Sequence, residues 1–208
     1  NVTKYILMGS SSNFGNMFSM AGAALFLPFL PMLPTQVLLN NLLYDVSEVG
    51  VPFDNVDLAA LKRPVRWNIG LVERFMLVFG PISSLFDFLT FYTLLKLFGA
   101  GQGMFQTGWF IESLATQCLV IFVIRTRGVP WRSRPHPVLT TLTLGAVLAG
   151  LAIPLSPLGR LFGFVEPPPM FFIFLLGAVA AYLALVALVK RRLYPWLVAG
   201  STRARRHR

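Results

Sequence analysis

The sequence predicts an all-α integral membrane protein, a bundle of six transmembrane helices with both termini on the cytoplasmic side. The first observation is composition, since 55% of the 208 residues are hydrophobic and only 12% are charged. Soluble domains average about 25% charged residues. The second is a mean hydropathy of +0.67, and the third is a series of six apolar stretches. These observations predict a single multi-pass transmembrane domain over residues 1–208.

Six segments are candidates for membrane-spanning helices, each of which needs about 20 mostly apolar residues. They lie at about 5–29, 35–49, 71–98, 105–124, 138–155 and 171–189. The second is short and carries polar groups that a lipid-facing helix does not tolerate. In the third, Pro81 predicts a kink. The remaining segments predict a cytoplasmic loop at 50–70 and a basic tail at 190–208.

The positive charges orient this bundle, because cytoplasmic loops retain lysine and arginine. With the N-terminus inside, all 18 of these residues except Lys96 and Arg160 lie on the cytoplasmic side. The net charge of +10 therefore reflects topology, and we expect no nucleic-acid partner. The tail "STRARRHR" either follows the same bias or binds anionic lipid headgroups.

The opening residues, "NVTKYILMGSSSNFGN", contain neither an initiator Met nor a secretory leader. We therefore expect a segment of a longer protein, cut where a membrane helix begins. The single Cys118 lies in an apolar run and indicates no disulfide framework. Neither His136 nor His207 has a second ligand nearby, so neither is a candidate for a metal site.

Three carboxylates fall within the predicted spans: Asp45 in the second, Asp87 in the middle of the third and Glu112 near the outer end of the fourth. A charge at the centre of a membrane helix costs at least about 2.5 kcal/mol, so each is a functional candidate. We expect Glu112 to be solvated near the headgroups. Asp87 is expected to pair with groups freed by Pro81.

Asp45 differs from the other two carboxylates because further polar residues accompany it at the spacing of one helix face. Asn41 lies four residues before it, on the same helix face, and Asn13 and Asn16 are three apart in the first span. Gln117 is a buried amide in the fourth span. Carboxylate and amide oxygens suit Mg²⁺, which is usually held by one or two carboxylates and several waters. Hydrogen bonding between helices accounts for the same residues equally well.

Several long motifs occur together along the chain: "KYILMGSSSNFGNMFS", "FLPFLPMLPTQVLLNNLLYDVSEVGVPFDNVD", "RFMLVFGPISSLFD", "FQTGWFIESLATQCLVIFVIRT" and "IPLSPLG". Through these motifs the chain resembles the C-terminal membrane domain of magnesium-transporting P-type ATPases over nearly its whole length. The resemblance implies that the six spans correspond to the fifth to tenth membrane helices of such a pump. It also implies a multi-pass protein of the bacterial cytoplasmic membrane.

The resemblance implies a transport site for magnesium whose ligands are Asn13, Asn16, Asn41, Asp45 and Gln117. Tyr44 stands where calcium pumps have a hydroxyl ligand. The chain departs from the calcium pattern by having amides at Asn16 and Gln117. This departure lowers the charge of the site and favours magnesium over calcium.

The phosphorylated Asp-Lys-Thr-Gly motif of P-type ATPases does not occur in the sequence, where no Asp is followed by Lys. We therefore expect the chain not to be catalytic alone. ATP is expected to act only through N-terminal actuator, phosphorylation and nucleotide domains of the same pump. The resemblance implies that "PFDNVDLAALKRPVRWN" docks on the phosphorylation domain, and we expect Asp54 and Asp57 in it not to bind the ion.

Two other functions remain as alternatives. The first is a non-transporting truncated or interaction fragment that keeps only the membrane fold. The second is a self-sufficient channel or secondary transporter, which the sequence disfavours because it shows no inverted repeat and few charges in the polar cluster.

Overall fold

The computed structural model describes residues 2–55, 69–126 and 133–203. Within these ranges the chain forms α-helices and no strand, which confirms the predicted all-α class. The helices are α1 (Val2–Ala24), α2 (Pro34–Glu48), α3 (Ile69–Tyr92), α4 (Gln102–Ile124), α5 (Pro137–Leu155) and α6 (Pro169–Arg203). A π-helical segment, Thr93–Leu97, extends α3, and short 3₁₀ helices at Val51–Phe53 and Pro157–Phe162 follow α2 and α5.

Among the residues that the structure describes, four helices are long and apolar enough to cross a membrane. Their qualifying segments are Ile69–Leu97, Gln102–Ile124, Pro137–Leu155 and Pro169–Leu193. The 15 residues of α2 rise only about 22 Å at about 1.5 Å per residue, less than the hydrocarbon core of about 30 Å. Membrane crossing by α1 and α2 stays a prediction, as does the cytoplasmic position of both termini.

The connection between α1 and α2 is longer than the sequence predicted. Helix α1 ends at Ala24, since tight turns follow in which the Leu25 and Phe26 amides bond to carbonyls three residues back. Helix α2 then begins at Pro34, a residue suited to the first helical turn. Just before it, the Leu33 N–H donates to Oε1 of Gln36 at 3.0 Å.

Helix α4 forms the centre of the bundle. In an 18-residue stretch of α4, 83% of the residues are buried, against 28% in each of the other three apolar helices. It contacts α1, α2, α3, α5 and α6. The polar side chains of α4 from Gln106 to Gln117 are therefore enclosed by protein.

Close packing of glycines sets the position of α1 along α3. A Cβ added at Gly22 lies 2.5 Å from the Phe88 ring, and one added at Gly80 lies 2.5 Å from the Phe14 ring. Such close approach is typical of small residues at membrane helix interfaces. Through these contacts α3 fixes the position of the polar residues of α1 along the bundle axis.

Two glutamines anchor the start of α2. Gln106 of α4 donates to the Leu30 carbonyl at 2.7 Å, and Gln36 of α2 donates to the Phe162 carbonyl at 2.9 Å. These bonds satisfy backbone carbonyls that have no helical partner. They place the first turns of α2 beside α4, so that its polar residues come to lie near those of α1.

Candidate metal site

A cavity of about 370 Å³ lies between α1, α2 and α4. Its polar lining consists of Asn13 and Asn16 from α1, Asn40, Asn41 and Asp45 from α2, and Ser113 from α4. Its apolar lining consists of Met17, Met20, Met32, Val37 and Trp109. Four of the five ligands predicted from the sequence thus line one cavity.

The helical spacing seen in the sequence brings these four side chains to the cavity. Asn13 and Asn16 share one face of α1, and Asn41 and Asp45 share one face of α2. Asn13, Asn41 and Asp45 are exposed, whereas Asn16 is half-buried. The cavity is therefore open on the side that carries the single carboxylate.

The charge of the site is low. Among the described residues, Asp45 is the only acidic one that lines the cavity. Among the residues that the structure describes, no group of three or more His, Cys, Asp or Glu side chains could hold a metal ion. An ion in this cavity would meet one carboxylate together with neutral amide and hydroxyl oxygens.

Gln117, the fifth predicted ligand, lies behind the cavity wall. Its side chain is only 4% exposed, and it does not line the cavity. Its Oε1 accepts a hydrogen bond from Nδ2 of Asn16 at 2.9 Å, and its Nε2 donates to Oδ1 of Asn40. Both ends of the amide are occupied by protein partners, so Gln117 supports the lining residues in this structure.

The amides form a directed chain of hydrogen bonds. Nδ2 of Asn40 donates onward to the Phe110 carbonyl at 3.4 Å. At the other end, Oδ1 of Asn16 accepts from the Ser113 hydroxyl at 3.2 Å. An amide oxygen has two lone pairs. Because its nitrogen is tied to Gln117, Asn16 presents an oxygen with one lone pair left to accept a further bond.

Sequence reasoning missed Asn40 and Ser113 as parts of this site. Asn40 precedes Asn41 directly, so it lies about 100° further around the helix, facing α4. Ser113 lies four residues before Gln117 on α4, and this spacing is the signal that could have identified it.

Tyr44 does not line the cavity. It is 2% exposed, and its hydroxyl donates to the Ser12 hydroxyl of α1 at 3.2 Å. The Tyr44 hydroxyl, which the resemblance placed at a ligand position, instead joins α1 to α2 beside the site.

The predictions made for the surroundings of Asp87 and Glu112 are wrong. Glu112 is 1% exposed, because α4 is the central helix, so its carboxyl is not solvated near the headgroups. Asp87 accepts hydrogen bonds from Ser19 and Trp109 rather than from backbone groups beside Pro81. Both carboxyls are enclosed within the bundle.

Within the connection that is expected to dock on the phosphorylation domain, Asp54 does not lie on the surface, and docking of the connection itself stays a prediction. The Asp54 side chain is buried, and its carboxylate pairs with Nε of Arg125 at 3.0 Å. Arg125 also donates to the carbonyls of Ser133 and Arg134. This ion pair joins the segment after α2, just beyond Val51–Phe53, to the end of α4 and to the segment before α5. Asp57 lies outside the described residues.

Residues 29–192 match the family model described as cation transporting ATPase, C-terminus. The chain is 46% identical over 204 residues to the magnesium-transporting ATPase, P-type 1, of Escherichia coli K12, covering 94% of this chain and 23% of that protein. A protein of the same name from Salmonella typhimurium LT2 is 41% identical over 199 residues, covering 93% of this chain and 22% of that protein.

A more distant relative is a putative cation-transporting ATPase of Methanocaldococcus jannaschii. It is 24% identical over 162 residues, covering 74% of this chain and 20% of that protein. The chain therefore spans about a quarter of the length of the curated relatives it matches.

Proposed function

The chain belongs to the family of cation-transporting ATPase C-terminal regions, and from that membership we propose that it forms the membrane ion pathway of a magnesium-transporting P-type ATPase. Two relatives that align with more than 90% of this chain carry the name of magnesium-transporting ATPases. The membrane character of the chain supports the proposal, since four helices in its described part are long and apolar enough to cross a bilayer.

The observation that carries the proposal is the cavity between α1, α2 and α4. It gathers the oxygen-bearing side chains of Asn13, Asn16 and Asn41 around the carboxylate of Asp45. Mg²⁺ takes oxygen ligands in octahedral geometry and gives up its waters reluctantly. One carboxylate, a few amide oxygens and room for water suit such an ion.

The same lining explains why we favour magnesium over calcium. Ca²⁺ takes six to eight oxygen ligands and is bound more tightly as the number of carboxylates rises. At the two positions where an acid would add charge, this chain has Asn16 and Gln117, and their amides bond to each other. An ion that keeps several waters needs fewer protein charges, and magnesium is such an ion.

Asp45 is the residue on which we propose that binding depends. A carboxylate in a bilayer is unstable unless it is protonated or paired. No salt bridge to Asp45 is present among the described residues. In our proposal the transported Mg²⁺ supplies the missing positive charge.

In the proposed pump, ATP is hydrolysed by actuator, phosphorylation and nucleotide domains that belong to the same protein as this chain. The protein lies in the cytoplasmic membrane of a bacterium, with both termini of this chain inside. Membrane helices outside this sequence cover the open side of the cavity, where Asn13, Asn41 and Asp45 are exposed.

A non-transporting fragment is the alternative. The gene upstream of the codon for Asn1 distinguishes the two functions, because the pump requires an open reading frame that encodes the phosphorylation motif. The complete product is then expressed in bacteria that lack their own magnesium uptake systems. We expect growth at low magnesium. Absence of growth with the protein present in the membrane would contradict the proposal.

A further inference from the structure

The cavity between α1, α2 and α4 changes from polar to apolar along its length. On α1 its lining extends from Asn13 to Met20, about 10 Å along the helix. On α2 its lining extends from Asp45 to Val37, about 12 Å along the helix. In each helix the apolar residue is the one nearer to the connection formed by residues 25–33. The carboxylate therefore lies at one end of the cavity, and apolar side chains lie at the end that faces this connection.

The wall formed by α4 shows the same gradient. Its lining residues are Ser113 and Trp109, and Trp109 is one turn nearer to Gln106. The Gln106 side chain in turn reaches the connection, where it donates to the Leu30 carbonyl. Met32, in the connection itself, also lines the cavity. The apolar end, which we call the neck, is thus lined by Met20, Met32, Val37 and Trp109.

Met32 is buried although it lies in a connection between helices. Its side chain is 6% exposed, and it belongs to the core against which Met20 and Val37 pack. An apolar constriction of this kind stops an ion by excluding the water that surrounds it. Methionine has three rotatable side-chain bonds and adapts to irregular gaps. The neck can therefore open when this one side chain moves aside.

The connection that carries Met32 is tied to α4 at two adjacent residues. The Gln106 side chain donates to the Leu30 carbonyl at 2.7 Å. The Phe29 ring meets the Phe105 ring edge-on, with 5.5 Å between the centroids. A displacement of the connection away from α4 breaks both contacts and takes Met32 out of the neck.

We propose that the neck is the path between the ion site and the end of the bundle that carries the α1–α2 connection, with Met32 as its gate. Gln106 is a positioning residue, because it holds the gate closed through the Leu30 carbonyl. This inference rests on the proposed function, since it assigns a path to the ion expected at Asp45. Binding of a small hydrated ion requires oxygen ligands and water, so a path accounts for the apolar extension of the cavity where binding does not.

The test is the rate at which a cysteine behind the gate reacts with a permanently charged methanethiosulfonate. The complete pump carrying Met20→Cys is placed in lipid nanodiscs without ATP or magnesium, and the pump with Met20 intact reports the reaction of its native cysteines. We expect Met20→Cys to react slowly. Adding Gln106→Leu should speed the reaction about fivefold, the effect of losing one ordinary hydrogen bond. Adding Met32→Ala should speed it by at least as much, because the gating side chain is removed.

Two matched variants control for general loosening of the bundle. Met170→Ala shortens an exposed methionine at the start of α6. Gln102→Leu changes an exposed glutamine one turn before Gln106 on α4. Neither Met170 nor Gln102 lines the cavity, so neither substitution should alter the rate at which Met20→Cys reacts.

Equal rates with Met32→Ala, with Met170→Ala and with both methionines intact would overturn the gate. A fast reaction of Met20→Cys while Met32 is intact would overturn it as well. If Met32→Ala does not fold, the comparison of Gln106→Leu with Gln102→Leu decides in the same way.

The labelling requires neither ATP nor magnesium, so its outcome is separate from that of the proposed function. Absence of magnesium flux in the wild-type pump contradicts the proposed function. A faster reaction with Met32→Ala in that same pump would still support the gate. Magnesium flux in the wild type, together with unchanged labelling of Met20→Cys in the Met32→Ala variant, would leave the proposed function standing and remove the gate.

Discussion

The side-chain amide of Asn16 on α1 donates a hydrogen bond to Oε1 of Gln117 on α4, across 2.9 Å. This bond fixes which end of the Asn16 amide is available to the cavity. It also occupies the oxygen of Gln117, while the nitrogen of Gln117 is bonded to Asn40. The two amides together leave the cavity with Asp45 as its single acidic residue.

The first prediction concerns ion selectivity. Gln117→Glu places a second carboxylate beside the cavity, and additional carboxylates favour calcium over a magnesium ion that keeps its waters. We expect Ca²⁺ to inhibit magnesium transport by the complete pump more strongly in Gln117→Glu than in the wild type. Gln117→Leu, of similar size and without charge, should not show this gain. Equal inhibition by Ca²⁺ in all three proteins would contradict the inference that the uncharged amide of Gln117 favours magnesium over calcium.

The second prediction contrasts two adjacent asparagines on α2. Asn40→Ala leaves Nε2 of Gln117 without its acceptor in a buried position, which costs about 1–3 kcal/mol. Asn41→Ala removes an exposed side chain, and water can replace its oxygen around an ion. We expect Asn40→Ala to lower the unfolding temperature and Asn41→Ala only to weaken magnesium binding. Thermal unfolding in detergent and magnesium titration measure the two effects, and equal stability of the two variants would contradict the assignment.

The third prediction concerns the buried ion pair of Asp54 and Arg125. Removing one partner of a buried pair leaves an uncompensated charge and costs about 3–5 kcal/mol. We expect Asp54→Asn and Arg125→Gln to lose stability by this amount, and the double variant to lose less than the sum of the two. Glu73→Gln, at an exposed carboxylate, is the control and should change stability by no more than about 0.5 kcal/mol. If Asp54→Asn unfolds at the same denaturant concentration as Glu73→Gln, the pair is not a structural link.

The fourth prediction concerns Trp109, which connects the cavity to Asp87. Trp109→Phe keeps an aromatic ring but removes the N–H that donates to Asp87. A buried acceptor that loses its donor costs about 1–3 kcal/mol, and we expect a loss of stability in this range. Ser19→Ala removes the other donor to Asp87 and should have a similar effect. Stability equal to the wild type in both variants would show that Asp87 does not depend on these donors.

The sequence predicted the apolar helices well, because hydropathy reports directly on segments that exchange water for lipid. Helices α3 to α6 follow from this signal. Helix α2 is less apolar than the others because it carries the polar residues of the site, and its 15 residues fall short of the membrane thickness. Local spacing alone does not say whether such a helix crosses the bilayer.

Parts of the site could also be predicted, since residues three or four apart on a helix share a face. This rule paired Asn13 with Asn16 and Asn41 with Asp45. It did not reveal that Asn40 faces α4, because the orientation of α2 depends on packing between helices. The hydrogen bond from Trp109 to Asp87 was missed for the same reason, as these residues come from different helices and meet only in the folded bundle.

The measurement that tests the central claim most directly is magnesium transport by the complete pump carrying Asp45→Asn. The pump is reconstituted in proteoliposomes, and magnesium flux is followed with a fluorescent indicator over a range of free magnesium concentrations. The substitution keeps the volume and hydrogen bonding of the side chain but removes its charge, so we expect folded protein without ATP-driven magnesium flux. Asn41→Ala, measured in parallel, should raise the magnesium concentration needed for half-maximal flux without abolishing transport. Wild-type magnesium dependence in Asp45→Asn would show that this carboxylate is structural and that the assignment of the site is wrong.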